Sequence, residues 1–369
     1  HGAAAGLDPV GASALAGSDA APVLLVYTSG TSGQPKGAVH TQAGLIWNCA
    51  NATHAQDLTA SDHALTVLPL FHVGGLCIQT LPTLHAGGCV TLHRRFDPGL
   101  WLSDVQSRRP ALSVMVPATL RAVLAHPHWA GTDLSSLRLV VAGSSVVPLD
   151  LIAAFHARDI PIGQVYGATE TGPVSIYLRR ADALAVPGSA GKAGLHVAVR
   201  LVGDDGTDVA RGEVGEIWLR AANLMQGYWR DPDNPAFADG WFRSGDLARQ
   251  DADGFYWVVG RLRDMIISGG ENIYPAEIEN LLLAHPDIAE AAVIGQPDAR
   301  WGEVAVAIVV PRTGSGIDAA GVLALLEGKI ARFKLPRRVL LRDSLPKTAL
   351  GKVQKPQLLG WVQQTADCG

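Results

Sequence analysis

Residues 27–37 form the stretch of this sequence best suited to hold phosphate groups. They include three glycines, four serine or threonine hydroxyls and Lys36. Glycine allows backbone conformations that bring the chain close to a ligand, and the hydroxyls, the backbone N–H groups and the lysine can all face phosphate oxygens. The composition of the stretch therefore predicts a loop that binds a polyphosphate.

The sequence around this loop decides between two other interpretations. The loop is not a Walker A motif, because Pro35 stands where that motif has glycine and Gly37 where it has serine or threonine. A glycine-rich linker is the alternative, but linkers rarely follow a buried strand directly. The apolar residues 23–26 predict such a strand, and a helical pattern begins near Gln42.

A second cluster, residues 165–172, follows another predicted strand. The carboxyl ends of strands in open α/β sheets are where ligands bind. Tyr166 could stack on a base, Thr169 could donate to a phosphate oxygen, and Glu170 could hold Mg²⁺ beside it. A capped turn between a strand and a helix is the structural alternative.

Three further clusters are weaker signals when each is considered alone. Asp246 lies in a glycine turn, where its carboxylate could accept two ribose hydroxyls, although most Gly-Asp pairs are simply turns. Residues 260–275 lie at a change of sequence texture, as hinges do, and Gly269 and Gly270 could let the backbone approach a ligand, or could form a plain β-turn. Lys352 follows a glycine near the end of the chain, where most lysines are only solvated charges.

The histidines favour no metal centre. No HExxH pair is present, nor is there a GxSxG nucleophile elbow or a kinase catalytic loop. His72 is predicted to end a buried strand, either as a satisfied core histidine or as a residue that lines a pocket.

The composition excludes several classes of protein. An apolar fraction of 48% over 369 residues can bury large cores in two or more domains. The net charge of -4 without a basic face argues against nucleic acid as a partner. The four cysteines lack CxxC spacing, which suits a reducing cytoplasm, and neither a membrane span nor a signal peptide is visible. The start at His1 rather than Met suggests a truncated or processed chain.

The order of predicted elements indicates three regions. Up to about residue 177, strands alternate with helices, as in an α/β layered domain with a largely parallel sheet; the strands are predicted over 23–26, 64–68, 89–93, 112–116, 137–142 and 163–166, and the helices over 42–54, 100–108, 117–126 and 149–158. Residues 188–260 read as a small β-rich subdomain, with strands over 196–202, 216–221 and 254–259. An α+β module follows, with a helix from Pro275, strands over 291–294, 304–310 and 338–341, and a helix over 319–331.

In this order and at these separations, the five clusters resemble those of the adenylate-forming superfamily of acyl-CoA synthetases, adenylation domains and luciferases. The resemblance covers residues 21–355. It implies a large αβαβα domain, N-terminally incomplete, over residues 1–261, and a small mobile C-terminal domain over residues 262–369. It also implies a reaction in which a carboxylate attacks the α-phosphate of ATP and gives an acyl-adenylate and pyrophosphate. The small domain then rotates, and a thiol displaces AMP from the acyl-adenylate.

The resemblance implies a role for each matching position. Those for ATP are Thr28, Ser29, Gly30, Thr31, Ser32, Gly33 and Lys36 on the β- and γ-phosphates, Gly143, Ser144, Ser145, Tyr166 and Gly167 around adenine, and Asp246 and Arg261 on ribose. Catalysis is assigned to Lys352, Thr169 and Glu170, with Glu170 on Mg²⁺, the hinge to Arg263, and the pantetheine tunnel of coenzyme A to Ser268, Gly269 and Gly270. In this scheme Lys352 and Mg²⁺ neutralise charge on the α-phosphorus, and rotation then removes Lys352.

The sequence departs from the family pattern in two respects, the residue at the hinge and the length before the phosphate loop. Relatives commonly carry Asp or Lys at the hinge, where this chain has Arg263. Relatives also carry on the order of 100 residues before the phosphate loop, whereas 27 residues precede Thr28 here. We therefore expect exposed apolar surface, and either a fragment or a partner that covers the gap.

The predicted acid-binding pocket favours a coenzyme A ligase. Amino-acid-activating domains usually have Phe-Asp where this chain has Phe71 and His72. The pocket residues are predicted to be His72, Val73, Val165, Gly167, Gly172 and Pro173, largely uncharged, which suits an apolar acyl or aryl carboxylate. Fatty acids, benzoate-like acids and o-succinylbenzoate stay open. The alternatives are an enzyme that loads a carrier protein and an inactive nucleotide-binding fragment, and a homodimer is left open.

Overall fold

The computed structural model describes residues 18–28, 35–143, 147–231, 234–347 and 353–366. The strands are β1 (Pro22–Thr28), β2 (Lys36–Thr41), β3 (His63–Thr66), β4 (Cys89–Leu92), β5 (Leu112–Met115), β6 (Leu139–Gly143), β7 (Ile162–Tyr166), β8 (Ile176–Tyr177), β9 (Lys192–Ala193), β10 (Val197–Val202), β11 (Val214–Ala221), β12 (Gly227–Tyr228), β13 (Phe237–Ala238), β14 (Trp241–Gln250), β15 (Tyr256–Arg261), β16 (Ile266–Ser268), β17 (Glu271–Ile273), β18 (Ile288–Asp298), β19 (Gly302–Pro311) and β20 (Arg338–Leu341). The α-helices are α1 (Gln42–Gln56), α2 (Val73–Gly75), α3 (Leu81–His85), α4 (Pro98–Arg108), α5 (Pro117–Leu124), α6 (Leu149–His156), α7 (Arg180–Ala183), α8 (Pro275–Leu283), α9 (Ala319–Ala324) and α10 (Lys355–Ala366).

A seven-stranded sheet in the order β4-β3-β5-β6-β7-β8-β9 forms the centre of the larger region. Strands β3 to β7 pair in parallel, whereas β8 and β9 are antiparallel. Side chains alternate between its two faces: Leu65 and Val140 pack with Trp101 of α4, while Ala64 and Val141 pack in the cluster that includes α1. Because helices bury apolar side chains on both faces, this is the predicted α/β layered fold.

Strand β1 corrects one prediction. Residues 23–26 were predicted to be a buried strand, yet Val23 is 50% exposed and Leu25 is 42% exposed, while Val26 is buried. The reason is that β1 pairs antiparallel with β2 in a small β1-β2-β12 sheet rather than joining the parallel sheet. Successive side chains of a strand point to opposite faces, so Val23 and Leu25 lie on the exposed face of β1 and Val26 lies on the buried face.

The predicted β-rich region is a sheet in the order β10-β11-β14-β13, with β15 paired to β14. The last region has a sheet in the order β17-β16-β19-β18, with β20 parallel to β19. Its core joins helix α8 to that sheet through Ile278, Leu282 and Val293. The helix predicted over 319–331 ends at Ala324, and turns follow, with Gly328 at a φ of +73°. The division into domains at residue 261 stays a prediction.

Candidate active site

Two neighbouring parallel strands end at the edge of the central sheet where the predicted ligand-binding residues lie. Strand β6 ends at Gly143 and strand β7 at Tyr166, and Gly143 pairs with Val165. A Cβ atom on Gly143 would lie 2.8 Å from the carbonyl oxygen of Val165, so only glycine fits this position without a shift. The carboxyl edge is where open α/β sheets bind ligands. The predicted adenine contacts Ser144 and Ser145 lie outside the described residues.

The predicted catalytic pair, Thr169 and Glu170, lies on a 3₁₀ turn, Thr169–Thr171, after β7. A Cβ atom on Gly167 would lie 1.7 Å from the carbonyl oxygen of Pro173, so the chain can fold back here only with glycine. The turn ends at Gly172, whose φ of +97° also favours glycine. The structural alternative, a capped turn, is therefore present here, and the catalytic role of Thr169 and Glu170 stays a prediction.

A chain of polar contacts links Glu170 to the end of the phosphate loop. The Tyr228 hydroxyl donates to Glu170 Oε1 at 2.8 Å, and the Lys36 ammonium lies 5.3 Å from the centre of the Tyr228 ring. Lys36 also pairs with Asp231 at 3.1 Å. Burial, together with the Glu170 carboxylate, raises the pKa of Tyr228 far above its usual range, so the hydroxyl stays protonated as a donor. Tyr228 therefore contacts both Glu170 and Lys36.

The two predicted ribose ligands contact each other. Arg261 Nε lies 3.0 Å from Asp246 Oδ1, and the Tyr166 hydroxyl donates to Asp246 Oδ2 at 3.0 Å. Burial raises the pKa of Tyr166 well above its ordinary value, and the nearby Asp246 carboxylate adds to this. The predicted adenine-stacking residue and the predicted ribose ligand therefore form one cluster across strands β7, β14 and β15.

His72 is not the end of a buried strand, which corrects a second prediction. Strand β3 ends at Thr66, and His72 caps helix α2 instead, its Nδ1 accepting from the Gly74 N–H at 3.2 Å. Because Nδ1 is an acceptor, the proton of the neutral ring is on Nε2. Burial lowers the pKa of His72, which favours this neutral form.

His72 lines a small apolar cavity at the same edge of the sheet. The cavity measures about 10 Å³ and is lined by Leu68, Pro69, His72, Gly74, Gly75, Ile78, Val114, Met115, Val116 and Gly143. This space holds about one water molecule. Two other predicted pocket residues lie elsewhere: Val73 packs with Val26 and Cys77, and Val165 is part of the core that includes Val114.

The predicted hinge and coenzyme A residues lie at the start of the last region. Arg263 is half-exposed on a 3₁₀ turn, Leu262–Asp264, between β15 and β16. Ser268, Gly269 and Gly270 form the turn between β16 and β17, with φ values of +61° and +89° at the two glycines. The Gly269 N–H donates to the Trp301 carbonyl at 2.7 Å. The predicted phosphate contacts Ser29, Gly30, Thr31, Ser32 and Gly33, and Lys352, lie outside the described residues.

Several residues of this site were missed from the sequence. His40, Asn223, Tyr228 and Asp231 hold the predicted residues in place, yet they carry no motif. Tyr228 lies 58 positions from Glu170, and Asp231 lies 195 positions from Lys36. A histidine four residues after Lys36, inside an apolar strand, was the only available signal.

A divalent metal at this site would be held by one carboxylate together with the phosphates of a nucleotide. No group of three or more metal-ligating side chains occurs among the described residues. Mg²⁺ commonly needs only one or two carboxylates together with substrate phosphates and water. Glu170, whose Oε1 also accepts from Tyr228, supplies such a carboxylate next to Lys36.

No helix in the described part of the chain is long and apolar enough to cross a membrane.

Comparisons with known proteins point to one family. The family model described as AMP-binding enzyme matches residues 9–229, and that of the AMP-binding enzyme C-terminal domain matches residues 277–352. Indoleacetate–CoA ligase of Aromatoleum aromaticum is 54% identical over 336 residues, which are 90% of this chain and 66% of the relative. Feruloyl-CoA synthase of an Amycolatopsis species is 48% identical over 337 residues, which are 91% and 69% of the two chains.

Solved structures agree with these relatives. ATP-bound MatB from Rhodopseudomonas palustris has a TM-score of 0.87 at 34% identity, covering 93% of this chain and 69% of MatB. The o-succinylbenzoate CoA synthetase MenE of Bacillus subtilis, in complex with its acyl-adenylate intermediate, has a TM-score of 0.84 at 33% identity, covering 92% and 69%. The chain thus spans about two thirds of the length of its relatives, 66% in the case of indoleacetate–CoA ligase.

Proposed function

Because this chain belongs to the family of AMP-binding enzymes, we propose that it is an ATP-dependent carboxylate–CoA ligase that acts through an acyl-adenylate and releases pyrophosphate and AMP. The observation that carries the proposal is the cluster at the carboxyl edge of the central sheet. There Glu170 is joined to Lys36 through Tyr228, and Tyr166 is joined to Asp246 and Arg261. Two such clusters suit the two ends of ATP, its triphosphate and its nucleoside.

In the first half-reaction, the chain positions ATP and neutralises charge. The residues from Thr28 to Lys36 would hold the β- and γ-phosphates, and Glu170 would hold Mg²⁺, which supplies further positive charge at the phosphates. Asp246 would accept the ribose hydroxyls. Lys352 would face the α-phosphate and the attacking carboxylate, where negative charge develops.

In the second half-reaction, a thiol replaces AMP. The proposed hinge at Arg263 would let the region after it rotate, so that Lys352 leaves and the turn of Ser268, Gly269 and Gly270 shapes a tunnel for pantetheine. The positive φ values of Gly269 and Gly270 suit glycine, and its lack of a side chain would allow pantetheine to pass close to the backbone. Coenzyme A is the proposed acceptor.

We propose an aromatic monocarboxylate as the substrate. The relatives named for indoleacetate and for feruloyl-CoA are 54% and 48% identical to this chain, whereas a long-chain-fatty-acid–CoA ligase is 35% identical. The cavity lining is apolar apart from His72, whose Nε2–H can donate a hydrogen bond. A space of about 10 Å³ is too small for an aromatic acid, so the proposed substrate class depends on the relatives and not on the cavity.

The test is ATP–pyrophosphate exchange with a panel of arylacetates, hydroxycinnamates, benzoates, fatty acids and o-succinylbenzoate, each with and without coenzyme A. We expect exchange with an aromatic acid, and CoA-dependent AMP release with the same acid. Exchange without any use of coenzyme A would favour an enzyme that loads a carrier protein. ATP binding without exchange for any acid would favour an inactive nucleotide-binding fragment.

A homodimer and a cytoplasmic location stay predictions, the latter supported by the free thiols of Cys49, Cys77 and Cys89.

A further inference from the structure

The 3₁₀ turn that carries Thr169 and Glu170 is held through three successive carbonyl groups. His40 Nε2 lies 2.7 Å from the Thr169 carbonyl oxygen, the Met225 N–H donates to the Glu170 carbonyl at 2.8 Å, and Asn223 Nδ2 donates to the Thr171 carbonyl at 2.6 Å. The main chain of the turn therefore has little freedom to move. Of the three donors, His40 alone belongs to the strand that begins at Lys36.

His40 lies between the two parts of the site that must bind the triphosphate. Its side chain is completely buried on β2, four residues after Lys36. A carbonyl oxygen can only accept, so Nε2 carries the proton and donates to Thr169. His40 Nδ1 is buried, and no described residue offers it a hydrogen-bond partner or would accept a second ring proton there. The neutral ring with its proton on Nε2 is therefore the form that the site accommodates.

From this arrangement, and resting on the proposed function, we propose that His40 is a positioning residue that fixes the Thr169–Glu170 turn relative to Lys36. Through one hydrogen bond it keeps the Glu170 carboxylate in place against Tyr228, whose ring faces Lys36. Its loss would leave the adenine and ribose contacts of Tyr166, Asp246 and Arg261 in place. Substitution of His40 should therefore weaken the binding of MgATP and leave the binding of AMP unchanged.

The experiment compares three variants with the unmodified chain by calorimetry. His40→Leu removes the donor while keeping an apolar side chain of similar bulk, and His40→Gln offers an amide N–H in its place. His54→Leu is the matched control, because His54 also makes one ring-nitrogen hydrogen bond, to the Tyr177 hydroxyl, away from the turn. We expect His40→Leu to raise the Kd of MgATP about ten-fold, as losing a buried hydrogen bond does, with the Kd of AMP unchanged. His40→Gln should restore most of the MgATP affinity.

A second measurement does not depend on nucleotide binding. In the ligand-free chain, amide hydrogen exchange over residues 169–172 should become at least several-fold faster in His40→Leu than in His54→Leu. Unchanged exchange there, or equal weakening of MgATP and AMP in His40→Leu, would overturn the positioning role. Failure of the proposed function would instead appear in the unmodified chain, as an absence of carboxylate-dependent pyrophosphate exchange.

Discussion

At the scale of single residues, the site depends on buried polar groups with defined protonation states. His40 and His72 each use one ring nitrogen in a hydrogen bond to the backbone, so the hydrogen bonds determine which tautomer is present. Tyr228 is held as a donor because burial and Glu170 raise its pKa. Polar groups are costly to bury unless they are paired, which explains why each of these three side chains makes at least one hydrogen bond.

The protonation of His40 predicts a pH dependence of stability. Burial lowers the pKa of His40 below its ordinary value of 6.5, although the Thr169 carbonyl and Glu170 oppose the shift. As the pH falls, the unfolded chain therefore protonates His40 before the folded chain does. The contribution of neutral His40 to the free energy of unfolding is fully present above about pH 6.5 and is lost as the pH falls toward the lower pKa of the folded state. We expect the free energy of unfolding to decrease between about pH 7 and pH 5 more steeply in the unmodified chain than in His40→Gln, by up to about 1.4 kcal/mol per pH unit.

Urea unfolding at several pH values measures this difference. Folding lowers the pKa of some carboxylates, such as Asp104, below the ordinary value of 3.8. These groups therefore do not contribute to the pH dependence between about pH 7 and pH 5. His85→Gln is the control for the loss of another histidine, because His85 is exposed at the end of helix α3. Equal slopes for the unmodified chain and His40→Gln would contradict the protonation state assigned to His40.

At the scale of elements, the turn between β3 and α2 shows how the backbone places a pocket residue. A Cβ atom on Gly75 would lie 2.4 Å from the Pro69 carbonyl oxygen and 2.6 Å from that of Leu68. Both neighbours are main-chain atoms, which cannot move aside as a flexible side chain can. The close approach lets the chain reverse, so that His72 faces the cavity beside Met115 and Gly143.

Gly75→Ala is therefore expected to disrupt this turn. We expect a loss of about 1–3 kcal/mol in the free energy of unfolding, which is typical of forced overpacking. The KM for the carboxylate should rise more than the KM for ATP, because the turn positions His72, a proposed residue of the acid pocket. Gly131→Ala is the control, since a Cβ atom there would meet nothing within 4 Å. Urea unfolding and steady-state kinetics give both quantities, and a Gly75→Ala enzyme that matches Gly131→Ala in both would refute the argument.

At the scale of the whole molecule, the proposed chemistry needs a group from the end of the chain at the central sheet. Lys352 is the residue proposed for the first half-reaction, while the cluster of Lys36, Glu170 and Tyr228 lies in the first 230 residues. A single pocket can run two steps only if such a group arrives and leaves between them. The half-exposed turn at Arg263 is the proposed point of rotation.

Lys352→Ala tests this division between the two half-reactions. We expect carboxylate-dependent pyrophosphate exchange to fall by about 10²–10³-fold, as when one group that stabilises transition-state charge is removed. Thioester formation from preformed acyl-adenylate should be preserved. Lys347→Ala is the matched control, because Lys347 pairs with Glu290 within the same region. If both half-reactions fell equally in Lys352→Ala, the proposed division of roles would be wrong.

The sequence by itself determined the family, the α/β fold and the order of the motifs. Glycines, hydroxyls and carboxylates at the ends of apolar runs report local requirements, which are written in adjacent residues, as at Gly167 and Glu170. What only the tertiary structure decided was the exposure of one face of β1, the capping role of His72 and the contacts of His40, Tyr228 and Asp231. Those depend on which strands pair and on partners up to 195 positions apart. A local pattern indicates which residues can do chemistry, but packing decides which of them meet and in which protonation state.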